Sequence, residues 1–208
     1  AAILEPLWRL HELTRRLRRD CPWDRKQTQE SIVAYTIEEV YELADTLRER
    51  AALGAEGDEA VRGELGDLLF QVVFHARMAD EGGQFDFNDV ANAISDKMER
   101  RHPHVFGDAE KPDWEGIKAA ERSAHEDASA LAGVALGLPA LLRAEKLQKR
   151  AARTGFDWPD PSGARDKIIE EIAEVDAAET VDEIEDEIGD LLFATVNWAR
   201  KLGVDPEV

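Results

Sequence analysis

The sequence predicts an all-α fold laid out as two tandem helical-bundle domains, and three observations carry that prediction. Apolar residues recur at helical spacing along most of the chain, as in Leu7, Leu10, Leu13 and Leu17. Runs alternating with a period of two are scarce, so no strands are expected. One acidic pattern, EExxE followed after a spacer by ExxDLLF, occurs twice. Its first copy joins Ile37-Glu38-Glu39-Val40-Tyr41-Glu42 to Glu64-Leu65-Gly66-Asp67-Leu68-Leu69-Phe70. Its second joins Ile169-Glu170-Glu171-Ile172-Ala173-Glu174 to Glu187-Ile188-Gly189-Asp190-Leu191-Leu192-Phe193.

The elements follow in order. Residues 3–19 predict an amphipathic helix that ends at the turn Cys21-Pro22-Trp23-Asp24. A long helix is expected from Thr28 to Arg50, then a polar, glycine-bearing loop over Leu53–Asp58. The next helix runs from Glu59 to Asp80 and stops at Gly82-Gly83. Asp86 or Asn88 caps a further helix through Arg101, ended by Pro103. Residues 103–137 read as a partly helical linker, with a helix start at Pro112-Asp113-Trp114-Glu115 and little periodicity over Ala128–Gly133.

The second half opens at Leu138-Pro139 with a helix through Arg153 that parallels the first helix of the chain. Trp158-Pro159-Asp160-Pro161 takes the place of the earlier Trp23 turn, and Ser162 reads as the cap of the helix carrying Glu170, Glu171 and Glu174. Thr180-x-x-Glu183 is a capping box for the helix carrying Glu187 and Asp190, which Gly203 ends. The domains expected are 1–107 and 138–208, joined by 108–137. Asp205-Pro206-Glu207 has the signals of another helix start, matching Val90–Arg101 of the first half with its Lys97, Arg100 and Arg101. The second domain is thus expected to lack its last helix.

Composition narrows the function. A formal charge of −19, from 26 Lys+Arg against 45 Asp+Glu, opposes non-specific binding to nucleic acid or to an anionic membrane. Phosphate substrates stay open, because a bound cation inverts the local sign. Cys21 is the single cysteine, which excludes an internal disulfide and a Cys-rich zinc site. No signal-peptide pattern is visible and no apolar run reaches the ~18 residues of a membrane span. A cytoplasmic protein is expected.

The repeated motif sets the chemistry. Residues three or four apart share a helix face, so Glu39 pairs with Glu42 and Glu64 with Asp67; Glu171, Glu174, Glu187 and Asp190 repeat the arrangement. Four carboxylates on two facing helices call for a positive partner, most simply a hard divalent cation such as Mg²⁺, or Mn²⁺ in its place. A lone EExxE is more often a solvated face. Here Glu64 and Asp67 lie within one turn of the apolar LLF run, where the hairpin should pack. Gly66 would let the helices approach closely, and Leu68, Leu69, Phe70, Val72 and Val73 would bury its rear. Lys167, one turn before Glu170 and Glu171, can reach a phosphate or pair with Glu171. Only Glu99-x-x-His102 fits a di-iron bundle, and no Walker, dinucleotide or G-x-S-x-G motif is present. Trp23 and Trp158 either plug the core, the commoner fate, or stack on a base. Arg100 and Arg101 either clamp phosphates or are a charged helix end.

The stretches CPWDRKQT (21–28), RGELGDLLFQVVFHA (62–76), ERRHPHVFGD (99–108), KLQKRAARTGFDW (146–158) and DEIGDLLFATVNWAR (186–200) together resemble the tandem-domain MazG family of nucleoside triphosphate pyrophosphohydrolases. The resemblance covers nearly the whole chain. It implies an all-α fold related to dimeric dUTP pyrophosphatases, a homodimer, and Mg²⁺-dependent hydrolysis of NTPs and dNTPs to the monophosphate and pyrophosphate in a house-cleaning role. It places the metal ligands on Glu171, Glu174, Glu187 and Asp190, and in the first half on Glu39, Glu42, Glu64 and Asp67. It puts nucleotide contacts at Lys167–Glu171, and gives the second half the main hydrolytic role. Catalysis would rest on Glu171, with Glu170 or Glu38 orienting or deprotonating the water. Lys167, Trp158, Arg100 and Arg101 are the substrate-binding candidates. The competing reading is a non-catalytic interaction scaffold or nucleotide-binding regulator.

Overall fold

The computed structural model describes residues 4–107 and 129–207, and among them there are helices and no strands. Contacts within the chain divide these residues into two units, 4–107 and 129–207. The expected start at Pro112-Asp113-Trp114-Glu115 lies outside the described residues.

In the first unit, α1 (Leu4–Asp20) leads into a 3₁₀ turn at Asp24–Lys26. Thr28 and Ser31 then exchange hydrogen bonds, Thr28 N–H to Ser31 Oγ at 2.9 Å and Ser31 N–H to Thr28 Oγ1 at 3.2 Å. That turn replaces the first residues of the helix expected from Thr28, and α2 is Val33–Leu53. The predicted loop over 53–58 is absent. Gly54 alone turns the chain, with φ 58° and ψ −126°, a conformation for which glycine is the natural residue, and α3 (Ala55–Glu81) begins at once. A polar, glycine-bearing stretch read as a loop because its second glycine, Gly57, has a packing role instead. A Cβ at Gly57 would lie 2.7 Å from the Arg50 carbonyl oxygen. Gly57→Ala is therefore expected to destabilise the hairpin by about 1–3 kcal/mol, seen as a lower urea midpoint. By contrast, a Cβ on Gly66 would meet nothing within 4 Å, so close approach at that glycine is not its reason.

Asp86 caps α4 (Phe87–Arg101) through a capping box with Asp89, and Pro103 opens the short α5 (Pro103–Phe106). The core of this unit is Ile32, Val73, Phe74, Ala76 and Ala79, with Thr14 of α1 buried beside them. Of the LLFQVV run only Val73 is buried among the apolar residues; Leu69 and Val72 are exposed. Arg18 joins α1 to the end of α3: it pairs with Glu81 at 2.7 Å, and its guanidinium lies 5.7 Å from the Phe74 ring centroid.

In the second unit Arg150 donates to the carbonyls of Leu131, Ala132 and Gly133, tying part of the expected linker to α6 (Ala140–Arg153). α7 (Pro161–Ala177) is capped by Asp160, not Ser162: Asp160 Oδ1 accepts the Ser162 N–H at 2.8 Å, and Pro161 fills the first helical position. A proline there leaves the preceding Asp free to be the cap. α7 and α8 (Val181–Leu202) form the second hairpin. Thr180 and Glu183 make the predicted capping box, and Gly203 closes α8 in the left-handed conformation at φ 73°. Asp205 Oδ1 accepts the Glu207 N–H at 2.9 Å, and Glu207 accepts the Leu142 N–H at 2.8 Å at the start of α6.

Asp157, before α7, pairs with Arg200 and, at 3.3 Å, with Lys201 of α8. The Arg200 hydrogen bond outweighs burial and holds the Asp157 carboxyl below its ordinary range. A depressed carboxylate contributes stability above its unfolded pKa and loses it as pH falls through the folded one. Asp157→Asn is thus expected to be less stable than the parent by up to about 1 kcal/mol at pH 7. The gap should close once the pH drops well below ~4, as read from urea curves across pH.

Candidate metal centre

Each hairpin gathers three carboxylates. In the first unit Glu39, Glu64 and Asp67 each offer an oxygen, all within 4.8 Å of one another; in the second Glu171, Glu187 and Asp190 do the same. Glu42 and Glu174, expected as fourth ligands, lie outside these groups. Each follows its partner by one helical turn and is exposed. Motif spacing pairs the carboxylates on each helix, but the crossing of the two helices decides which three converge.

Glu171 is 2% exposed. Its Oε1 takes an ion pair from Lys167 Nζ at 2.7 Å, while its Oε2 is buried without a hydrogen-bond partner. An orphaned carboxylate oxygen in a converging acidic trio is a poor structural device and a good ligand for an oxygen-seeking cation. The residues present therefore fit Mg²⁺ or Mn²⁺. The nearby Glu171 carboxyl raises Glu174 above its ordinary range, because a proton between the two relieves their repulsion. Lys167 Nζ also pairs with Glu170 at 2.8 Å and reaches Glu174 at 3.8 Å. These carboxylates, Glu170 first and Glu171 next, raise the Lys167 ammonium well above its usual value.

The first trio is supported differently. Burial, and next the Asp67 charge, push Glu39 above its ordinary range, and the nearby Gln71 amide opposes that shift. Gln71 Oε1 lies 3.2 Å from Thr36 Oγ1, which lies 3.0 Å from His75 Nε2. Burial lowers the His75 pKa, favouring the neutral ring, and Gln29 donates to the His75 carbonyl at 3.3 Å. Sequence reasoning missed this chain of neutral groups. The signal was an amide four residues after Asp67, on its face, inside an apolar run.

Of the remaining candidates, Glu38 and Glu170 are exposed beside their trios. Neither tryptophan plugs the core. Trp23 is 51% exposed and meets Tyr35 edge-on at 5.8 Å between centroids; Trp158 is 45% exposed. The Trp158 ring lies over Gly163, where a Cβ would come within 2.5 Å of it. That is about two helical turns from Glu171 along α7. Arg100 and Arg101 occupy the last turn of α4, the helix that follows and packs on α3.

Residues 27–106 match the MazG nucleotide pyrophosphohydrolase domain. The chain is 50% identical over 215 aligned positions to a nucleoside triphosphate pyrophosphohydrolase of Escherichia coli, covering 96% of this chain and 80% of that protein. It is 46% identical over 190 positions to the Thermotoga maritima nucleoside triphosphate pyrophosphohydrolase/pyrophosphatase MazG, covering 90% and 72%. A Mycolicibacterium smegmatis nucleoside triphosphate pyrophosphohydrolase is 38% identical over 149 positions, covering 68% and 44%. Identity at this level across nearly the whole chain, with two helical hairpins that each converge three carboxylates, decides the family: the chain belongs to the MazG nucleoside triphosphate pyrophosphohydrolases.

Proposed function

We propose that this chain hydrolyses NTPs and dNTPs to the nucleoside monophosphate and pyrophosphate, using Mg²⁺ or Mn²⁺ held by Glu171, Glu187 and Asp190 in the second of two tandem MazG-like domains. The observation that carries the proposal is the buried, unpartnered Oε2 of Glu171 within that trio. Glu39, Glu64 and Asp67 are the corresponding ligands of the first domain, with Glu42 and Glu174 one turn beyond each set. When bound, the cation supplies Lewis-acid stabilisation of charge that develops on phosphate oxygens. The protein's own groups do the rest. Glu170, exposed beside Glu171, orients or deprotonates the attacking water, and Glu38 takes that place in the first domain. Lys167 offers a donor to the triphosphate and Trp158 offers a half-exposed ring to a base, while Arg100 and Arg101 are the first domain's own candidates for phosphate.

A homodimer is part of the same reading. Ile37, Val40, Tyr41, Leu65, Leu69 and Val72 stay exposed on α2 and α3, an apolar surface that a second copy would cover. Among the described residues no helix is long and apolar enough to cross a membrane. The experiment is product analysis of several NTPs with and without Mg²⁺. Monophosphate plus pyrophosphate, formed only with the cation, supports the proposal; diphosphate plus phosphate, or no turnover, ends it.

A further inference from the structure

The two carboxylate trios differ in one charged neighbour. In the second unit the residue four before Glu171 is Lys167; in the first the residue four before Glu39 is Tyr35. Lys167 Nζ stands within 4 Å of Glu170, Glu171 and Glu174 at once. An ammonium has three donors, and here they face three carboxylates. Tyr35 instead packs edge-on against Trp23, and among the described residues no cation pairs with Glu39.

We propose that Lys167 is an internal counter-ion of the second site, which must leave Glu171 before a divalent cation can be held there, so that this site takes metal more weakly than the first. The inference rests on the reading of Glu171, Glu187 and Asp190 as metal ligands. Glu171 presents its two oxygens to opposite tasks: Oε1 is engaged by Lys167, and Oε2 is buried and unpartnered. A doubly charged ion on that carboxylate would stand a few ångströms from an ammonium, and like charges at that range repel strongly. The lysine can yield. It is a point charge on a flexible four-carbon stem, and its side chain is 38% exposed while that of Glu171 is 3% exposed. Leaving Glu171, it becomes free to meet a phosphate oxygen. Metal occupancy and phosphate capture are then linked through one side chain, and the second domain offers its ammonium only when the cation is in place. The first domain has no such exchange built in.

The test is Mn²⁺ titration of the full chain, by calorimetry and by electron paramagnetic resonance, in an Asp67→Asn background that silences the first trio. Lys167→Met in that background should bind Mn²⁺ about fivefold tighter or more, and Lys167→Arg should match the parent. Unchanged or weaker binding by Lys167→Met overturns the proposal. A variant that merely damaged the fold would bind more weakly, so the expected sign cannot come from misfolding; Lys167→Gln gives the same reading if the Met variant is insoluble. The reciprocal arm is Tyr35→Lys in a Glu187→Gln background, where Mn²⁺ binding by the first trio should weaken by a similar factor; no change there also counts against the exchange. If Glu187→Gln, added to Asp67→Asn, leaves metal binding as it was, the ligand assignment itself has failed.

Discussion

Glu171→Gln is expected to lower NTP turnover at least about a hundredfold, since loss of Lewis-acid stabilisation is worth several kcal/mol and each 1.36 kcal/mol is tenfold. The amide keeps the shape of the side chain but removes the charge that a cation needs. The fold should survive: Lys167 retains Glu170 at 2.8 Å, so no cation is stranded beside the new amide. Far-UV circular dichroism should therefore match the parent while the initial rate collapses. Glu174→Gln is the informative contrast. Glu174 stands outside the converging trio and is exposed, so its loss should cost far less than that of Glu171. Equal losses at the two positions would restore Glu174 as a full ligand. Wild-type turnover by Glu171→Gln would remove the second domain from catalysis.

Phe74→Ala is expected to be the most damaging single truncation in the first unit, at about 3–5 kcal/mol. Phe74 is 2% exposed, stacks on Phe70 at 5.4 Å between centroids, and lies under the Arg18 guanidinium. Truncation would open a cavity where α1 meets α3 and would strip Arg18 of the surface it covers on its way to Glu81. Against a total stability of about 5–15 kcal/mol, such a loss leaves this unit close to unfolding at ordinary temperature. Thermal and urea denaturation read it directly. Phe74→Leu should recover most of the loss, because it restores volume without the ring.

The helices were legible because their signals are local. Periodic leucines mark α1, and Asp86, Thr180 and Gly203 end or begin helices for reasons contained within four residues. Gly54 and Gly57 were read together as a loop because sequence does not say that one glycine turns the chain and the other lets α3 pass the Arg50 carbonyl. The site shows the same division. Spacing placed Glu39 and Glu42 on one face, yet three-dimensional convergence picked Glu39 with Glu64 and Asp67. Lys167 was legible as a partner of Glu171, since that is an i, i+4 relation. The Thr36–Gln71–His75 chain was not, since its members come from two helices and none is charged. For the tryptophans ring size argues for burial, the commoner of the two fates open to them, whereas their place in surface turns leaves them half in water.

The two hairpins close at different distances from their carboxylates. Gly54 turns the chain ten residues before Glu64, whereas Thr180 stands seven before Glu187; on the other arm Glu39 is fourteen residues from the end of α2 and Glu171 only six from the end of α7. Helix ends fray and helix middles do not, so local breathing has a shorter way to travel in the second hairpin. Backbone amides around Glu171 should exchange with deuterium sooner than those around Glu39, with both units otherwise folded. A centre near a breathing tip admits and releases a bulky triphosphate with small movements; one set deep along two long helices holds its shape and is slower to open.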